Sequence, residues 1–146
     1  MVFARRIIAA VLFAGVAFPA LAQNSYVSRL YEQVLENMEY AQSGYTLDTF
    51  GIVRINSGET ATIELDVPAK TAVQIMGDCD EDCYDLDLVV RNASGKLLGE
   101  DRLDDYYPIV SIVSDGSGRI ALEFDLADCA ASYCYAAYSV FIDRAD

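Results

Sequence analysis

The sequence predicts a mainly β protein, a jelly-roll-type β-sandwich of about eight strands preceded by one amphipathic N-terminal helix. Three observations carry that prediction. Apolar residues recur at steps of three and four over residues 25–42, then at a period of two from Tyr45 onward. The second pattern breaks into eight short apolar segments at near-regular spacing, as a sandwich requires. Clusters of Gly, Asn, Asp, Ser and Pro stand between those segments.

The first element is a leader. Arg5 and Arg6 form a basic n-region, Ile7 to Phe18 an apolar core, and Ala20-Leu21-Ala22 a small-residue cleavage site. Residues 1–22 therefore read as a signal peptide cut between Ala22 and Gln23. The apolar run is short of the roughly 20 residues a membrane span needs. An uncleaved anchor is the lesser alternative. The expected product is exported, periplasmic or extracellular, with no membrane insertion after cleavage.

The second element, within residues 23–44, is the helix. Val27, Leu30, Tyr31, Val34, Leu35, Met38 and Ala41 form one stripe. Asn24 or Ser25 suits its N-cap, and Gly44 its end. Such a helix is marginal in isolation, so its stripe is expected to dock on the β domain. Arg29 is its only cation, which argues against a membrane-surface role.

The third element, residues 45–146, is the β domain. Strands are predicted at 47–56, 60–67, 71–77, 85–91, 96–102, 109–114, 119–127 and 135–143. Alternation is clearest where Leu86, Leu88 and Val90 point to the core, with Asp85 and Asp87 outward.

Charge narrows the partners. The chain has 10 basic and 23 acidic residues; Arg5 and Arg6 leave with the leader, so 8 face 23, a net charge of −15. Such a field repels nucleic acid. A hydrophobic share of 53% sets the chain apart from disordered acidic tails. An unknown protein or glycan is the expected partner.

The four cysteines stand as Cys79/Cys83 and Cys129/Cys134. Three pairings are open, with the sequence neighbours the most economical. Zinc is the competing reading, weakened by the absence of His. An exported domain favours disulfides.

The densest polar stretch runs from Asp78 through Asp87, six acids in ten residues. Like charges this close repel unless a cation or solvent screens them. Calcium suits them, because it takes six to eight oxygen ligands in flexible geometry. The candidate ligands are Asp78, Asp80, Asp82, Asp85 and Asp87, joined by Asp104 and Asp105 if the two loops share one end of the sandwich; Asp101 precedes that second group. The stretch is not an EF-hand, since Cys83 and Val89 stand where that loop needs Gly and Glu. A solvated acidic loop pinned by a disulfide is the plainer reading.

Catalysis has little support. With no His, neither a Ser-His-Asp nor a Cys-His site can be built within the chain. A pair of carboxylates hydrolysing a glycan is the surviving enzyme reading, and needs two acids on one cleft, one of them shielded. Tyr106-Tyr107 and the group Tyr133, Tyr135 and Tyr138 are candidates for a sugar- or peptide-binding face, or for core and rim packing. The sequon Asn92-Ala93-Ser94 also supplies the residues of a tight turn before Gly95.

Residues 79–141 carry a resemblance. The segment CDEDCYDLDLVVRNASGKLLGEDRLDDYYPIVSI, followed by GRIALEF, resembles bacterial pre-peptidase C-terminal (PPC-like) domains. There a D-x-D strand leads through a D/N-x-x-G turn to a second strand, then an acidic loop and a closing alternating strand. The resemblance implies a jelly-roll sandwich that accompanies secreted peptidases or binds extracellular matrix or carbohydrate, in some members with calcium. Two departures matter. These 146 residues hold no expected peptidase domain beside this one, and the helix is expected to occupy the place of the family's calcium-bearing linker. The expected function is a non-catalytic exported binding or accessory module stabilised by calcium, with a glycan hydrolase or a purely structural envelope protein as alternatives.

Overall fold

The structure, a computed structural model, describes residues 25–144. The expected leader and its cleavage point lie outside the described residues.

Eight strands form where alternation predicts them: β1 (Tyr45–Asn56), β2 (Thr60–Asp66), β3 (Ala72–Cys79), β4 (Cys83–Asn92), β5 (Leu97–Asp101), β6 (Ile109–Val113), β7 (Arg119–Cys129) and β8 (Tyr133–Asp143). They divide into two four-stranded sheets, ordered β1-β8-β3-β6 and β2-β7-β4-β5. The first strand lies beside the last, and only the β4–β5 connection stays within one sheet. This is jelly-roll order.

Period-two alternation fills the space between the sheets. Leu86, Leu88 and Val90 of β4 and Ile120, Leu122 and Phe124 of β7 meet Val73 and Ile75 of β3 and Val140 of β8, all fully buried or nearly so. Strand β3 departs from the pattern, being buried on both faces. Its odd-numbered residues join the core. The even-numbered Gln74, Met76 and Asp78 occupy the outer face, beside the helix.

That helix is α1 (Ser25–Tyr40). Leu30 and Val34 seat it against Ala137 of β8, flanked by Ile52 and Tyr135. The expected stripe is only partly covered: Tyr31, Leu35 and Met38 are about half exposed. Ala137 offers a narrow seat, and Tyr31 instead meets Phe50 of β1, ring centroids 5.9 Å apart. After Tyr40 the chain turns at Gly44, whose φ of 91° favours glycine.

Every strand pairing is antiparallel. Loops 57–59, 80–82, 102–108 and 130–132 therefore gather at one end, and loops 67–71, 93–96 and 114–118 at the other. Both disulfides, Cys79–Cys83 and Cys129–Cys134, lie at the first end and leave no free cysteine. Each ties a strand of one sheet to a strand of the other. Cys83 and Cys129 stand opposite each other in the β4–β7 ladder, yet each bonds its sequence neighbour. With all four sulfurs so engaged, the zinc reading falls away.

The opposite end is built from turns. Asn92 Oδ1 accepts the Ser94 and Lys96 backbone N–H groups and the Ser94 hydroxyl. The sequon thus serves as a turn. Nearby, Gly118 has φ 66°, and any Cβ there would collide with the Val67 carbonyl.

Candidate functional site

One side of α1 faces the disulfide end across a groove. Its side chains are Tyr26, Arg29, Gln33, Glu36, Asn37 and Tyr40, again at helical steps. The far wall is the 102–108 loop, and the floor is the outer face of β3. Two clefts make up the groove, about 330 Å³ beside Tyr26, Asp80, Glu81 and Tyr84, and about 490 Å³ beside Glu36, Asn37, Met76 and Asp78. Tyr106 lines both.

Local hydrogen bonds hold the far wall. Asp101 accepts the N–H groups of Leu103 (3.2 Å) and Ile109 (2.9 Å), closing the loop at both ends. The Asp105 carboxylate accepts the Tyr107 N–H, and the Asp105 carbonyl the Leu86 N–H. Gly77 N–H donates to the Pro108 carbonyl. Tyr106 and Tyr107 pack edge to face at 5.1 Å. Both remain about half exposed on this fixed support, as does Tyr84.

The seven expected calcium ligands have separate fates. Asp78 is only 8% exposed, and its Oδ2 accepts a 2.6 Å hydrogen bond from Asn37 Nδ2 on α1. Burial pushes its pKa up to about 6, with Glu36 adding to the rise and Asn37 restraining it. Asp80, equally buried, accepts the N–H of Tyr135 at 2.6 Å and that of Asp82 at 3.2 Å. Its pKa is also raised, by burial first, and those two donors restrain the rise. Asp82 accepts the Tyr26 hydroxyl at 3.1 Å, which pushes the Tyr26 pKa up. Asp87 pairs with Arg102 at 3.0 Å.

The sequence also points to a meeting of the two acidic loops, and one does occur around Asp85. Burial raises its pKa, and the charges of Asp87, Asp104, Asp105 and Asp128 push it further. Its Oδ1 is buried with no hydrogen-bond partner. Among the described residues, however, no three His, Cys, Asp or Glu side chains are grouped so as to hold a metal ion. Asp78, Asp80 and Asp82 face α1 and β8, while Asp85 and Asp87 lie on the second sheet.

The expected tyrosine group is also divided. Tyr138 points inward and stacks on Phe124, because β8 sends even-numbered residues to the core. Tyr135 stacks on Tyr26, and Tyr133 carries the Arg54 guanidinium 4.6 Å above its ring. Tyr106-Tyr107 lines the groove beside α1, while Tyr133 and Tyr135, packed edge to face at 5.7 Å, line a separate cleft of about 250 Å³ with Tyr26, Asp80 and Asp82. The helix contributes what motif reading passes over, namely Tyr26, Gln33, Glu36, Asn37 and Tyr40. Their signal is a second three-and-four-residue stripe, polar and aromatic rather than apolar.

Chemically, the groove offers tyrosine faces and carboxylate oxygens, with one guanidinium, Arg29, paired to Glu81. No helix among the described residues is long and apolar enough to cross a membrane. Comparison with protein-family models and with curated proteins finds no match to this chain.

Proposed function

We propose that this is an exported, non-catalytic binding module of PPC-like type, which takes its ligand in the groove between α1 and the 102–108 loop. The observation that carries the reading is the fixed tyrosine wall facing a floor of buried carboxylates. Concave sites with aromatic walls and a few convergent polar groups are where proteins bind small or extended ligands. Two disulfides stapling the sheets suit an oxidising compartment, which supports export. The PPC-like reading draws on the D-x-D strand, the Asn92 turn and the jelly-roll order together. Amide shift mapping with a panel of glycans and peptides tests the site. Perturbations should cluster at Gln33, Asn37, Asp80, Tyr84 and Tyr106. A cluster on the outer face of β2, β7 and β4 would place the ligand elsewhere.

A hydrolase is the second reading, favoured by one observation. The larger cleft holds a shielded acid with pKa near 6, Asp78, and a second carboxylate, Glu36. A shielded acid with a raised pKa and a second carboxylate in one cleft are what a glycosidase needs. Release of reducing ends from glycan polymers, abolished by Asp78→Asn, would establish it. Calcium stabilisation is a separable part of the proposal and rests on Asp85, whose crowded carboxylates a cation would relieve.

A further inference from the structure

From the pattern of donors and acceptors along the groove, we infer that its ligand is a short, extended basic peptide whose Lys or Arg side chains reach the carboxylate floor. This rests on the groove being the binding site. Four carboxylates line the two clefts: Glu36, Asp78, Asp80 and Glu81. Asp80 spends both oxygens on backbone N–H groups, and Asp78 gives Oδ2 to Asn37. Glu81 gives Oε2 to Arg29. The described contacts leave Glu36, Asp78 Oδ1 and Glu81 Oε1 as acceptors with no protein donor. The single guanidinium in the groove is already paired. A ligand that fits must bring donors, and ammonium and guanidinium groups bring nothing else.

The walls agree. Tyr84, Tyr106 and Tyr107 present rings to the opening, and a cation over a tyrosine face is attracted by its quadrupole. Aliphatic stems of Lys and Arg cover ring surface while their heads reach acid. A neutral sugar would stack on the same rings and use the tyrosine hydroxyls and the Gln33 amide, but it brings no positive charge to answer the carboxylate floor. The acidic chain, net −13 before any processing, draws cations toward the site.

Length selects a peptide. From Tyr26 to Tyr40 the helix rises about 21 Å at about 1.5 Å per residue. An extended chain of about six residues spans that distance. Alternate side chains of such a chain point the same way, toward the floor.

The test is calorimetric titration of the full mature chain with four probes: (Lys-Gly)₃, (Arg-Gly)₃, spermine and chitohexaose. The two peptides should bind, and Tyr106→Ala or Tyr84→Ala should weaken them. Glu36→Gln with Glu81→Gln should weaken them about tenfold, whereas Glu64→Gln with Asp125→Asn, the same charge removed from the second sheet, should change affinity less than about twofold. Equal weakening by both pairs would reduce the effect to bulk charge and overturn the inference. Spermine binding as tightly as the peptides would replace the peptide by a small polyamine. Chitohexaose binding through Tyr106, with the peptides inert, would overturn the ligand class and keep the groove. No probe sensitive to Tyr106→Ala would remove the groove itself. Melting curves of each variant check that its fold is intact.

Discussion

The two ends of the sandwich put the same residue type to opposite uses. At the disulfide end Asp78 is buried under α1 with a single strong donor, Asn37, and its pKa rises to about 6. At the opposite end Asp115 is solvated and accepts from the Ser117 hydroxyl at 2.6 Å, the Ser117 N–H at 2.8 Å and Asn92 Nδ2 at 2.8 Å. Its pKa falls, with the Ser117 hydroxyl the largest cause. A carboxylate's donors and its water decide the sign, not its neighbours in sequence. One end therefore stores destabilising charge beside a groove, and the other uses charge to close a turn.

Loosening the helix breaks the contrast most severely. Leu30→Ala removes a fully buried side chain from the seat of α1 and should cost about 3 kcal/mol. It should also rehydrate Asp78 and bring its pKa back toward the usual range. Urea unfolding gives the first quantity, and a carboxyl NMR titration the second. A large stability loss with Asp78 still near 6 would show that the helix is not what buries it.

The pH dependence comes next in size. Folded Asp78 keeps its proton to about pH 6, whereas the unfolded carboxyl releases it near the ordinary value of 3.8. Between those values the folded state holds more protons, so stability falls as pH rises from about 4 to about 6 and is level above. The gap of about two pH units corresponds to about 3 kcal/mol at most. Asp80 and Asp85 are shifted the same way and add to the slope. Asp78→Asn keeps an acceptor for Asn37 and should flatten much of the slope, read from urea midpoints at pH 4, 5, 6 and 7. Superimposable slopes for both proteins would assign it to other groups.

These contrasts were unevenly legible in the sequence. The sandwich was readable because Leu86, Leu88 and Val90 alternate with acids and because turn residues mark each strand end. The cysteine spacing pointed to the disulfides, although register places Cys83 beside Cys129. The acid run was misleading in one respect. It suggests a loop, but Asp78 lies within β3, Asp85 and Asp87 belong to β4, and the turn holds only residues 80–82. A period of two shows that Asp78 points out of the sandwich; it does not show that a helix covers that face. The groove was illegible for a related reason. Tyr26, Gln33, Asn37 and Tyr40 form a stripe without hydrophobic contrast, and only docking through Leu30 and Val34 aims it at β3.

Calcium addresses a third environment at the disulfide end, that of Asp85. With calcium at about five times its Kd, binding to the folded state alone would add about 1 kcal/mol, a rise of a few degrees in Tm. Asp85→Asn should abolish the rise. Because no three acids among the described residues are grouped for a metal, binding would also have to draw Asp104 and Asp105 toward Asp85. An unchanged Tm in millimolar calcium and in chelator would sink the calcium proposal and leave proton uptake as Asp85's relief from its neighbours.

The smallest effect belongs to Asp115, and it sharpens the comparison because its sign is reversed. Its folded pKa lies below the unfolded one, so its contribution is complete above the ordinary carboxylate range and is lost as pH falls through the depressed value. Asp115→Ala removes the acceptor for Ser117 and Asn92, and the variant should be less stable than the parent at pH 5. The difference should shrink as pH drops below about 4, because protonation weakens the same hydrogen bonds in the parent. Asp78→Asn should show its largest gain over the parent above pH 6 and little below 4. Two single variants with opposite pH trends would assign opposite electrostatic signs to the two ends of one jelly roll. Parallel trends would mean that the aspartates respond to the net charge of the whole domain rather than to their own donors.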